Sequence, residues 1–97
     1  MNFQERLDEL RQGAADDDIT PNEASFKDAT KYLAERNDNK RPAIVLLDNG
    51  NIRCHWDPTG PNRLSIEFFG GGKGSKVYKD ETGKLRFAND VPLWSMP

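Results

Sequence analysis

A chain of 97 residues has room for one ordinary domain and not for two. Its 14 Lys and Arg against 16 Asp and Glu leave a formal charge of -2, which gives no overall electrostatic attraction to nucleic acid or anionic membranes. A single cysteine, Cys54, excludes an intrachain disulfide and a cysteine-based metal centre within one chain, and no apolar run approaches the length needed to span a bilayer.

The apolar fraction is 35%, low for a globular domain, yet the apolar residues are grouped and periodic, which favours folding over disorder. Residues 2–12 read as a first helix. Phe3, Leu7, Leu10 and Ala14 recur at steps of four, three and four and form one narrow stripe. Asn2 is placed to cap it, and Gly13 can end it by accepting positive φ. An acidic interhelical linker, residues 13–19, carries Asp16, Asp17 and Asp18. Thr20-Pro21-Asn22-Glu23 then reads as a capping box with proline at the first helical position, so a second helix is expected from Pro21 to about Arg36. Phe26, Ala29, Tyr32 and Leu33 form its buried side, and Lys31 and Glu35 are spaced to pair on its wet side.

The period changes after Arg41-Pro42. Ala43–Asp48 and Asn51–Trp56 read as strands around Asn49-Gly50, a strong two-residue hairpin signal. That loop pairs Val45 with Cys54 and collects Ala43, Val45, Leu47, Ile52, Cys54 and Trp56 on one face. After the turn-rich Asp57–Asn62, a third strand over 63–69 sends Leu64, Ile66 and Phe68 inward and Phe69 outward. Gly70–Gly74 reads as a flexible loop, Ser75–Lys79 as a fourth strand and Leu85–Phe87 as a short fifth. Residues 91–97, with apolar groups between prolines, read as an extended tail. A sheet with one apolar face needs a covering layer. The expected fold is therefore a single α+β domain over 1–97, with two N-terminal helices packed on an antiparallel β-meander of three to five strands.

The candidate sites are few. Cys54, His55 and Asp57 resemble a nucleophile, base and acid, but neighbours on a strand point to opposite faces, so no catalytic dyad is expected. His55 is the only histidine and is a poor metal site alone. The run from Gly70 to Ser75 lacks the spacing of a phosphate-binding loop. No catalytic, cofactor-binding or metal-ligating residue is assigned, and the chain is expected not to be an enzyme. Partner-binding candidates remain. Asp16, Asp17, Asp18 and Glu23, with the carboxylates of the first helix, could imitate DNA phosphates on a basic protein surface. Arg53, His55 and Phe69 belong to an outer sheet patch expected to include Ile44 and Leu46; a partner or the Leu93–Met96 segment is expected to cover it. Trp94 is a candidate anchor. Lys73, Lys76, Lys79, Lys84 and Arg86 offer a basic alternative for direct nucleic-acid binding, interleaved with Asp80 and Glu81.

The stretch from Pro42 to Trp56, followed by Leu64-Ser65-Ile66-Glu67-Phe68, resembles a pattern in small, largely uncharacterised bacterial and phage α+β proteins: proline opening a strand, an Asn-Gly turn, tryptophan closing the return. The resemblance covers residues 42–68 and carries no catalytic residue. In size, acidity and lack of enzyme motifs the chain is also similar to phage-encoded inhibitors of CRISPR defence, a class that includes DNA mimics. That likeness implies a protein partner, such as a nucleic-acid-binding protein or complex, met in the host cytoplasm. The start MNFQERLDELRQ lacks the basic and apolar segments of a secretory leader, so a cytoplasmic protein without membrane attachment is expected.

Overall fold

The computed structural model describes residues 2–36 and 41–95. Helix α1 spans Phe3–Gly13, a 3-10 turn follows at Ala14–Asp17, and α2 spans Glu23–Glu35. The strands are β1 (Ala43–Leu46), β2 (Ile52–Trp56), β3 (Leu64–Gly70), β4 (Lys73–Lys79) and β5 (Leu85–Pro92), and a second 3-10 turn occupies Leu93–Ser95. All five strands join one antiparallel sheet in chain order. The fold is α+β with both helices packed on this meander, as the layer argument requires.

Asn2 caps α1 by accepting from the Glu5 amide at 2.9 Å. Leu7 and Ala14 are buried, and Phe3 and Leu10 are packed against the core. Gly13 does not end the helix by reversing the chain. The segment expected as a linker tightens into the 3-10 turn, and the left-handed residue is Asp18, at φ 56. Its amide and that of Ile19 bond back to Ala15 and Ala14 carbonyls, which keeps Ala14 in the core.

The cap of α2 lies two residues later than the capping-box reading placed it. Asn22, not Thr20, is the N-cap, its side chain accepting from the Ala24 amide at 3.2 Å. A local pattern was overridden by tertiary bonds. Asn22 donates through Nδ2 to Asn51 Oδ1 at 2.8 Å and to the Phe69 carbonyl at 3.0 Å, and its backbone N–H donates to the Gly50 carbonyl at 2.9 Å. Phe26, Ala29 and Leu33 are buried as expected, with Ser25 fully enclosed among them; its hydroxyl accepts from the Ile52 amide at 2.8 Å.

The β1–β2 register differs from the two-residue expectation by one position. Ile44 pairs with Cys54 and Val45 with Arg53. Leu47 N donates to the Asn51 carbonyl and Gly50 N to the Leu47 carbonyl, both at 2.9 Å, so the loop contains Asp48, Asn49 and Gly50. With Gly50 at φ 88, this is the three-residue alternative: a type I turn closed by a left-handed glycine. A one-residue slip exchanges the faces of β1. Ile44 is buried and Leu46 packs on the core, while Ala43 and Val45 turn outward. Ile52, Cys54 and Trp56 on β2, and Leu64, Ile66 and Phe68 on β3, point inward as expected.

The primed two-residue turn occurs elsewhere, at Gly71-Gly72, where both central residues have positive φ and Gly70 pairs with Lys73. The expected flexible loop is thus a fastened corner. Gly72 N donates to Asp28 Oδ2 at 2.7 Å, and the Gly72 carbonyl accepts from Leu93 N at 2.9 Å. The segment expected as an extended tail instead completes β5 through Pro92 and turns to the helix side. Leu93 is 2% exposed within the core, so residues 93–95 do not cover the outer sheet face; Met96 and Pro97 lie outside the described residues.

Two pairs of substitutions test this arrangement. A Cβ on Gly50 would lie 2.2 Å from the Thr20 carbonyl oxygen, whereas Gly83, also at positive φ, faces open space. Gly83→Ala should cost about 1–2 kcal/mol for the left-handed backbone, and Gly50→Ala about 2–4 kcal/mol because strain and overpacking add. Urea unfolding will rank them, and equal losses would contradict the helix–hairpin contact. Ile44→Ala should cost about 2–4 kcal/mol and Val45→Ala less than about 1 kcal/mol. The opposite ranking by thermal or urea unfolding would restore the two-residue register.

Candidate functional site

The alternation of the strands builds an outer face opposite the helices. One row crosses the whole sheet: Ala43, His55, Ser65, Val77 and Phe87 are successive cross-strand partners. Both helices and the Leu93 turn contribute to the core cluster on the other face. Phe87 is 75% exposed at the β5 end of the row. It was missed by sequence reading, because only the β4–β5 register tells which side of that edge strand it occupies. Ile44 and Leu46, expected in this patch, are in the core instead. Phe69 is half-buried where β3 bulges beside Gly70.

His55 lies with Nδ1 3.0 Å from the Ser65 hydroxyl. Partial burial, followed by the nearby Arg53 and Arg63 charges, holds its pKa below the ordinary 6.5. Arg53 stands opposite Glu67, yet Glu67 Oε2 accepts from the Asn49 and Asn51 side-chain amides at 3.2 and 2.9 Å. Arg53 Nε is buried without a hydrogen-bond partner among the described residues. Cys54 points to the opposite face and is fully buried, its thiol pushed up to about 12 by desolvation. The Cys54–His55 pair is therefore split across the sheet, as strand geometry demands.

The acidic candidates form a separate surface. Asp16, Asp17 and Asp18 are exposed on the first 3-10 turn. Glu23 is bridged at 3.0 Å by Arg11, which also meets Asp8 at 3.4 Å, and Arg6 pairs with Glu9 at 2.8 Å. Asp8 and Glu9 of α1 and Glu23 are thus partly neutralised, whereas Asp16, Asp17 and Asp18 make no ion pair among the described residues.

Trp94 belongs to a third region, on the helix side. It is 40% exposed, its Nε1 donates to Glu35 Oε2 at 2.7 Å, and its ring meets the Tyr32 ring edge-on at 6.2 Å. Lys31 Nζ lies 4.8 Å from the indole. The expected Lys31–Glu35 pair is replaced by contacts of both residues to Trp94. Beside Trp94 a groove of about 600 Å³ opens between the end of α2, the start of β3, β4 and the closing turn. Lys76, grouped by sequence with the other hairpin lysines, faces this inner side opposite Ile66 and is only 6% exposed. Arg86 of the same basic set is held by Asp80 Oδ2 at 2.8 Å. Hydrogen bonds from Thr82 and Arg86 hold the Asp80 carboxyl well below the usual range. The hairpin cations therefore do not share one surface.

Among the described residues, no three His, Cys, Asp or Glu side chains are grouped to hold a metal ion. No helix among them is long and apolar enough to cross a membrane. No family model, curated protein or solved structure matches the chain, so the candidate surfaces are read from their own chemistry.

The depressed His55 pKa has a signed consequence. Folding favours the neutral ring, so its contribution is complete above the ordinary pKa of 6.5 and is lost as pH falls from there through the lower folded value. An NMR titration should place the His55 midpoint below 6.5, and His55→Gln should flatten the decline of the urea midpoint in that acidic window. A midpoint above 6.5 would contradict the surroundings assigned to the ring.

Proposed function

We propose that this chain is a non-enzymatic protein-binding module whose partner docks on the outer face of the sheet, with Phe87 as the anchor. The observation that carries the reading is the large apolar ring of Phe87, 75% exposed at the end of a row spanning all five strands. Val77 stands beside it and Leu85 lies two residues away along β5. An aromatic side chain that enters a partner pocket is the usual energetic centre of an interface. Arg53 and His55 then serve as polar contacts beside the apolar centre. Arg53 makes no ion pair among the described residues, which suits a partner carrying carboxylate or carbonyl acceptors there. The separation of Cys54 from His55 supports binding over nucleophilic catalysis.

A second reading has its own observation. Asp16, Asp17 and Asp18 are exposed on the first 3-10 turn and its C-cap, without ion pairs among the described residues. As an inhibitor from a phage or mobile element, acting in the host cytoplasm, the chain would use them to occlude a basic nucleic-acid-binding surface of another protein. Direct nucleic-acid binding by the hairpins is less well supported, because Lys76 turns inward and Arg86 is engaged by Asp80.

Site-specific photo-crosslinking from position 87 and from position 17 separates the two readings. The outer-face reading expects a partner adduct at 87. Phe87→Asp should then weaken the complex by at least about 2 kcal/mol, roughly thirtyfold, with unchanged stability. Charge reversal through Asp16→Lys and Asp17→Lys, with neutralisation through Asp18→Asn, should leave it intact; asparagine tolerates the left-handed backbone at position 18. Loss of binding in the charge variant alone, with steep weakening by salt, would favour the acidic turn and reject the outer face.

A further inference from the structure

The outer face of the sheet carries positive charge that its own carboxylates do not answer. Val45, Arg53, Glu67 and Ser75 form a second row across β1 to β4, beside the row that ends in Phe87. Arg63 immediately precedes β3. Neither Arg53 nor Arg63 makes an ion pair or a side-chain hydrogen bond among the described residues. Both guanidinium charges reach His55 and oppose its protonation, so they surround one point of the face. Glu67, the carboxylate opposite Arg53, is turned to the Asn49 and Asn51 side-chain amides instead.

Arg53 is the decisive residue. Its side chain is half-buried, and its Nε is enclosed without an acceptor. A guanidinium is a planar fork of five donors, and two neighbouring N–H groups match the two oxygens of a carboxylate. In the observed rotamer the Nε edge of that fork is idle. Turning the unbranched stem outward breaks no hydrogen bond within the described residues, and an arriving carboxylate adds two charge-assisted ones.

The surroundings of Arg53 select the kind of anion. Its cross-strand neighbours are Val45 and Glu67, which offer no ring on which a base could stack. Phe87 is three strands away and two residues off the row, roughly 16 Å by sheet spacing. The formal charge of -2 also lacks the broad field that draws a nucleic acid. A carboxylate on a protein segment needs only the local pair of guanidinium groups.

We propose that the outer face receives an acidic segment of a partner protein, with an Asp or Glu carboxylate of that segment held side-on by Arg53 and a second positive charge supplied by Arg63. The inference rests on the outer face being the docking face and names what the partner brings to it. A partner that also meets Phe87 carries this carboxylate about five extended residues from its Phe87 contact. The competing explanation is an arginine that packs its stem on the sheet and keeps its terminal nitrogens in water.

An NMR titration of the full chain with capped hexaglutamate at low ionic strength tests the proposal, beside capped hexaglutamine and a thymidine hexanucleotide. Hexaglutamate should shift the Arg53 Nε–H resonance and the amides around Arg53 and Arg63, hexaglutamine should not, and salt should weaken the effect. Arg53→Gln should weaken hexaglutamate by at least about tenfold. Arg53→Lys should recover only part of that loss, because an ammonium keeps the charge without the fork. Arg63→Gln should weaken binding in the same direction, and Lys84→Gln, on the exposed turn before β5, should change nothing. Thermal unfolding of each variant checks that the fold is intact. No shift of the Arg53 Nε–H at millimolar hexaglutamate, an equal shift with hexaglutamine, full affinity in Arg53→Gln, or tighter binding of the oligonucleotide at the same amides would each overturn the proposal. Phe87→Asp should leave hexaglutamate binding intact, which separates the two readings. A partner adduct at position 87 without hexaglutamate binding keeps the docking face and rejects its acidic partner, whereas hexaglutamate binding without an adduct keeps the Arg53 site and rejects the Phe87 anchor.

Discussion

The contact between the N-terminus of α2 and the β1–β2 turn is the constraint on which the other features depend. Asn22 bonds at once to its own helix, to Asn51, to the Gly50 carbonyl and to the Phe69 carbonyl. It can do so because Gly50 lets the turn approach Thr20 more closely than any side chain would permit. These bonds satisfy backbone groups at a helix start and at the bulged end of β3 together, groups that would otherwise be costly to bury. They also accompany the longer loop, and the longer loop determines which side of β1 meets the helices.

A second tie closes the opposite side of the molecule. The Gly71-Gly72 corner is fastened to Asp28 and Leu93, and Gly74 makes room for the Leu93 side chain. With Leu93 in the core and Trp94 held by Glu35, the end of the described chain becomes part of the helix layer. That routing leaves Phe87 and Val77 on the outer face and places the Trp94 ring at the edge of the groove. The same few residues thus separate two surfaces of different chemistry.

The distinction matters for how such a small domain can work. One face exposes the Phe87 ring at the end of a row that also carries His55 and Val77. The helix side offers a recess lined by Tyr32, Tyr78 and Trp94 together with Arg63, Lys76 and Lys79. The acidic turn is a third feature, distinct from Asp8, Glu9 and Glu23, which Arg6 and Arg11 draw into ion pairs. None of these depends on the others for its geometry.

Local pattern in the sequence was sufficient for the element types, the two-layer architecture and most of the core. Period-four spacing located Leu7, Phe26, Ala29 and Leu33, and period-two spacing located Ile52, Cys54, Trp56, Ile66 and Phe68, because these periods follow from backbone geometry. Acidic residues and Trp94 could be named in advance, but their neighbours could not. The choice between two loop lengths at Asn49-Gly50 was open locally, since both turns accept the same dipeptide, and the bonds to Asn22 accompany the longer one. Ile44, Lys76 and Phe87 were assigned to their faces only by registers between strands. Such registers are set by long-range contacts, and a shift of one residue exchanges core for surface. The chain's own order therefore determined what would pair with what kind of layer, whereas packing between distant residues decided which side chains would be left for a partner.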